Sequence, residues 1–130
     1  MFALVVSAMA VAGVVGFPAA QAQPPVPGTP CSYTLSPPEV VNVDGADMVA
    51  ATLTPAGCLG PFRPYLAVAC VQKAGAPAQC TQARGTDPAR VVTPYQPGAT
   101  YISTGRGLGT LFNDMTDPNW QVLGPISATL

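Results

Sequence analysis

The stretch YLAVACVQKAGAPAQC, residues 65–80, decides the fold. Its first half alternates in the manner of a strand, so that Leu66, Val68 and Cys70 share one face of the extended chain. A short segment rich in Ala, Gly and Pro follows and is typical of a turn. The chain then returns to Cys80, so the stretch predicts a β-hairpin whose two cysteines lie opposite each other.

The rest of the chain repeats this pattern of short strand-like runs between turns. Its 130 residues include 16 prolines and 13 glycines, a density that would break any helix longer than two turns. We therefore predict an all-β protein, an antiparallel immunoglobulin-like β-sandwich of seven to nine short strands. The candidate strands are Ser32–Leu35, Glu39–Val43, Met48–Leu53, Tyr65–Gln72, Gln79–Gln82, Arg90–Thr93, Thr100–Thr104, Gln121–Leu123 and Ile126–Leu130.

The N-terminus has the features of a targeting segment. Phe2 to Phe17 form an apolar run, and Ala20-Gln21-Ala22 supplies the small-x-small pattern of a signal-peptidase site. We predict a signal peptide over residues 1–22, a Pro-rich leader over 23–30 and a single folded body over 31–130. An uncleaved anchor is the alternative. The main prediction places the protein in the secreted or cell-envelope fraction, with no stable membrane insertion after cleavage.

Four cysteines in an exported chain indicate two disulfides. Three pairings are possible, and we favour the sequential one, Cys31 with Cys58 and Cys70 with Cys80, because the hairpin brings the second pair together. A zinc site or a redox motif is disfavoured, since the spacing contains no C-x-x-C pair and the chain has no histidine.

The charge inventory argues against several classes of function. Net charge is −1 and only five residues are basic, which is not the pattern of a nucleic-acid surface or a polybasic membrane patch. Without histidine the usual general base is missing. Asp114 and Asp117 lack the spacing of a calcium loop, and Lys73 lies in a predicted turn. We predict a protein that is not an enzyme and uses no cofactor or metal.

The order of features from Tyr33 onward resembles the neocarzinostatin-type apoproteins, small secreted immunoglobulin-like sandwiches of actinomycetes. The resemblance rests on Thr34–Pro37, on Asp44-Gly45 leading into a strand, on Tyr65–Val68 running into a cysteine pair, and on Ile126–Leu130. The Ala-, Gly- and Pro-rich composition is similar to that of exported proteins of high-GC actinobacteria, mycobacteria included. The resemblance implies the fold and the bridge between the hairpin cysteines. The other cysteine pair departs from the family, where it lies late in the chain, and no ligand is carried over.

Binding is predicted in a loop from Gly105 to Trp120. Its glycines Gly105, Gly107 and Gly109 indicate a mobile loop or a bulge. The alternative is that the large side chains plug one end of the sandwich, with the tryptophan in the core. The candidate anchors are Leu108, Leu111, Phe112, Met115 and Trp120.

Two kinds of function are compatible with this sequence. The first is a non-enzymatic binding or interaction module that captures a small apolar ligand or a protein partner. The second is a structural or cell-envelope-associated secreted protein without a small-molecule ligand. A ligand cleft in the folded protein would favour the first.

Overall fold

A computed structural model describes residues 30–111 and 119–130. The predicted signal peptide and all of the leader except Pro30 lie outside the described residues. Eight strands and no helix occur in the described part of the chain. The strands are β1 (Cys31–Leu35), β2 (Glu39–Val43), β3 (Ala46–Cys58), β4 (Phe62–Lys73), β5 (Gln79–Arg84), β6 (Ala89–Pro94), β7 (Thr100–Leu111) and β8 (Asn119–Thr129).

The strands form two antiparallel sheets that pack against each other. In the first sheet β3 is central, with β1 and β2 in succession along one edge and β6 along the other. The second sheet has the order β5-β4-β7-β8. The predicted all-β antiparallel sandwich is therefore confirmed, whereas its immunoglobulin-like topology stays a prediction.

One hydrogen-bond arrangement supports that topology. The Tyr101 hydroxyl, near the start of β7, donates to the carbonyl oxygen of Pro94 at 3.0 Å and accepts from the Gln96 amide at 2.8 Å. A tyrosine bonded back to the preceding corner is a recurrent feature of immunoglobulin-like sandwiches. Here it fastens the β6–β7 connection to the second sheet.

Local sequence explains the tightest turn. Asp44 and Gly45 join β2 to β3 with backbone φ angles of 52° and 87°, and Val43 pairs with Ala46 across the turn. A two-residue hairpin turn requires positive φ at both positions, which Asp-Gly adopts readily. Asn42 Oδ1 accepts a hydrogen bond from the Gly45 amide at 3.1 Å, which closes the turn.

Both disulfides have the predicted sequential pairing. Cys31 is bonded to Cys58 between β1 and β3, and Cys70 is bonded to Cys80 between β4 and β5. Each bridge joins strands of one sheet. No disulfide therefore joins one sheet to the other.

Packing between the sheets depends on a stripe of three glycines, Gly105, Gly107 and Gly109, on the inner face of β7. A Cβ atom at Gly107 would overlap the ring of Tyr33, and one at Gly109 would overlap the Cys31 side chain. The residues of β1, together with Leu53 of β3, thus fill the space that three side chains would otherwise occupy. Tyr33 is completely buried as a result.

Three sequence-based predictions need correction here. Of the loop expected from Gly105 to Trp120, residues 105–111 form the second half of β7, because the glycine stripe alternates with larger residues at the period of a strand, and residues 119–120 begin β8. Gly124 and Pro125, which separate two of the candidate strands, lie within β8 opposite an irregularity between Ser103 and Gly105. Residues 55–57, which lie beyond the end of a candidate strand, belong to β3, where the register with β1 shifts.

Tyr33 also makes two polar contacts between the sheets. Its hydroxyl donates to the carbonyl oxygen of Leu108 at 2.8 Å, and its amide donates to Gln121 Oε1 at 2.9 Å. Burial of the phenol raises the pKa of Tyr33 to about 12, because the ionised form would lose its hydration.

We expect Gly107→Ala to lower the free energy of unfolding by about 2 to 3 kcal/mol, since the new methyl group collides with an aromatic ring that cannot rotate away. Gly105→Ala is the matched control. There the nearest atom is Leu53 Cδ1 at 2.9 Å, the end of a flexible side chain, so the cost should be about 1 kcal/mol. Denaturant unfolding measures both.

The same two positions give a test that is independent of the absolute values. If the ring causes the clash, Gly107→Ala should cost much less in a Tyr33→Leu background than in the wild-type background. Strictly additive losses in the double variant would show that Gly107 is required for another reason.

The raised pKa of Tyr33 predicts a loss of stability in alkali. The folded protein holds the phenol proton more tightly than the unfolded chain, whose tyrosine pKa is 10.0. This group's contribution is therefore complete below that pH and is lost as pH rises toward about 12, a change on the order of 2 to 3 kcal/mol. Urea unfolding across this pH range gives the free energy of unfolding of the wild type and of Tyr33→Phe. The difference between the two isolates the contribution of the Tyr33 phenol. A difference that is independent of pH would contradict the assignment.

Candidate functional site

The outer face of the second sheet places large side chains in cross-strand rows. Pairing sets Gln82, Val68, Arg106 and Val122 side by side across β5, β4, β7 and β8. The neighbouring row contains Arg84, Leu66, Leu108 and Trp120. Side chains directly opposite each other on one face are close enough to interact, so these rows form a continuous surface.

This face contains a pocket of about 530 Å³, which we call the outer pocket. The Cys70–Cys80 disulfide belongs to its wall, and Val68 and Val122 supply aliphatic surface. Val122 is 69% exposed, the highest value among the large hydrophobic residues described. The lining residues are Val68, Cys70, Cys80, Gln82, Thr104, Gly105, Arg106 and Val122.

Arg106 is the single charged residue of this lining. Its guanidinium carbon lies 5.2 Å from the centre of the Trp120 ring, which is within the range of a cation–π contact. The contact is diagonal across β7 and β8, because Arg106 pairs with Val122 and the tryptophan pairs with Leu108. The indole therefore supports the arginine at the side of the pocket.

The structure separates the anchors predicted from sequence. Leu108 is fully buried and cannot serve as a surface anchor. Leu111 is half-buried at the end of β7, and Trp120 is 37% exposed rather than sunk in the core. Phe112 and Met115 lie outside the described residues. Of the predicted set, Trp120 contacts a residue of the outer pocket.

Sequence reasoning missed the pocket residues although part of the signal was present. The predicted common face of Leu66, Val68 and Cys70 is the outer face of β4. Alternation alone did not tell the outer face from the inner one, which carries Ala67 and Ala69. Small residues inside and larger residues outside reverse the usual expectation for a half-buried strand.

No catalytic arrangement is visible in the parts of the chain that the structure describes. Lys73 Nζ donates to Gln96 Oε1 at 2.7 Å, so this amine contacts a side-chain amide and not a serine or threonine hydroxyl. Residues 30–111 and 119–130 contain no cluster of three His, Cys, Asp or Glu side chains suited to a metal ion. Across the same ranges, no helix is long and apolar enough to span a membrane.

Comparison with known proteins gives no relative. No family model matches the chain, and no curated protein and no solved structure shows significant similarity to it. The resemblance to the neocarzinostatin-type apoproteins therefore stays a prediction.

Leu108 and Trp120 are cross-strand partners, and we expect their truncation to lower the free energy of unfolding by very different amounts. Leu108→Ala removes a completely buried side chain and should cost about 3 kcal/mol. Trp120→Ala removes a half-exposed ring and should cost clearly less, about 1 kcal/mol. Thermal unfolding compares them. A larger loss for Trp120→Ala would mean that the tryptophan is a core residue and not part of a surface.

Proposed function

We propose that this is an exported, non-enzymatic binding protein that holds a small, predominantly apolar molecule in the outer pocket. The observation that carries the proposal is the pocket itself. Its volume of about 530 Å³ falls in the range of small-molecule sites. Its lining combines apolar side chains and a disulfide with a few polar groups, as such sites usually do.

The position of the pocket also follows from the packing. The space between the sheets at β1 and β7 is occupied, since Tyr33 fills the volume above Gly107 and Leu35 and Leu53 fill that above Gly105. A ligand placed there would have to displace the core. The outer face of the second sheet offers apolar surface that is accessible without unfolding.

The two disulfides support the exported location. Bonded cysteine pairs persist in oxidising compartments and are rare in the cytosol. Together with the apolar N-terminal run they favour secretion or retention in the cell envelope. Such a location suits a protein that captures a molecule outside the cytoplasm.

We expect the neutral apolar probe N-phenylnaphthylamine to bind the folded protein, and Val122→Asp to weaken that binding by about tenfold or more. A carboxylate in the pocket must lose its hydration when an apolar ligand arrives. Val40→Asp is the matched control, because Val40 is 42% exposed on β2 in the opposite sheet. Fluorescence titration measures both variants.

The comparison of the two variants decides the proposal. Equal loss of binding in Val122→Asp and Val40→Asp would show that the probe reports general surface hydrophobicity. No binding by the wild type, with melting temperature and disulfides intact, would favour the alternative of a structural or cell-envelope protein without a small-molecule ligand.

A further inference from the structure

We infer that the natural ligand is an amphipathic anion, an apolar body with one acidic group that binds Arg106. This inference rests on the proposed function and adds to it the chemical class of the ligand. It is carried by the distribution of charge over the two sheets and by the free hydrogen-bonding capacity of one arginine.

Charge is strongly segregated in this nearly neutral protein. Of the five basic residues, one, Arg90, belongs to the first sheet. The strands of the second sheet contain the other four and no aspartate or glutamate. The four are Arg63, Lys73, Arg84 and Arg106.

The described carboxylates lie elsewhere. Glu39 is on β2, Asp47 is on β3, Asp44 is in the turn between them, and Asp87 precedes β6. The remaining two, Asp114 and Asp117, belong to residues 112–118, which the structure does not describe. Within the described residues, the strands of the second sheet are therefore cationic, whereas the carboxylates lie on or beside the strands of the first sheet.

Arg106 differs from the other basic residues in its contacts. Lys73 bonds to Gln96, and the Arg84 guanidinium lies against Tyr65 with its centre 5.8 Å from the ring. Among the basic residues Arg106 alone lines the pocket, and within residues 30–111 and 119–130 its guanidinium contacts the Trp120 ring. A cation–π contact orients the guanidinium but leaves its N–H groups able to donate to a ligand.

An acid group is the natural partner for such an arginine. Guanidinium donors fit carboxylate, sulfonate and phosphate oxygens in a two-pronged geometry, and bonds between charged partners are stronger than neutral ones. The aliphatic surface of Val68 and Val122 would bind the rest of the molecule in the same pocket. Arg106 thus provides selectivity, and the apolar wall provides most of the buried area.

The test uses two probes with the same aromatic body. Anilinonaphthalene sulfonate carries an acidic group, and N-phenylnaphthylamine does not. We expect the wild type to bind the sulfonate more tightly, and Arg106→Gln to weaken sulfonate binding by about tenfold, several-fold more than it changes binding of the neutral probe. Arg90→Gln removes the same charge from the first sheet and is the matched control. Calorimetric titration gives the affinities, and melting temperatures confirm folding.

Each other result overturns the inference in a distinguishable way. Equal binding of both probes, unaffected by Arg106→Gln, removes the acid selectivity but leaves the pocket. If Arg106→Gln and Arg90→Gln weaken sulfonate binding equally, the effect comes from the overall charge of the protein and not from the pocket. Binding to phosphatidylglycerol vesicles in place of the soluble sulfonate would assign the arginine to a membrane surface. Failure of both probes to bind removes the proposed function as well.

Discussion

The contact between the Tyr33 ring and the backbone of Gly107 is the constraint on which the rest of the structure depends. It brings β1 of the first sheet so close to β7 of the second that a side chain cannot fit between them. The same tyrosine then satisfies two polar groups of the opposite sheet, the Leu108 carbonyl and the Gln121 amide oxygen. Close packing and hydrogen bonding therefore coincide at one residue.

This constraint also explains why the second sheet has its unusual distribution of side-chain size. The inner face of β7 is reduced to glycines, so the apolar surface that the strand can offer lies on the outside, at Leu108 and around Arg106. Leu108 is itself buried, which leaves Val122 and Trp120 as the accessible members of this surface. The candidate site is in this sense a product of how the core is filled.

Much of the fold could be predicted from local sequence, because the signals are local. The Asp44-Gly45 turn, the hairpin between Cys70 and Cys80 and most strand centres each depend on a few neighbouring residues. The glycine stripe could not be interpreted in this way. Alternating glycines look like a loop until their partner is known, and that partner, Tyr33, lies more than seventy positions earlier in the chain.

The outer pocket could not be predicted from sequence for the same reason. The predicted anchors are large side chains that lie close together along the chain. The outer pocket, in contrast, is assembled from β4, β5, β7 and β8 by strand pairing. In the sequence, Arg106 is an isolated cation between two glycines, and this pattern predicts no binding site. Its significance depends on Trp120, which the pairing of β7 with β8 brings beside it.

The placement of both disulfides within single sheets has a mechanical consequence. Tension applied to the chain on either side of the folded body would pass from Cys31 through its sulfur atoms directly to Cys58, bypassing the 27-residue span between them. The Cys70–Cys80 bridge shields a further span of 10 residues in the same way. Stretching cannot extend these two spans while the disulfides are intact, so the extensible length of the oxidised protein is well below its contour length.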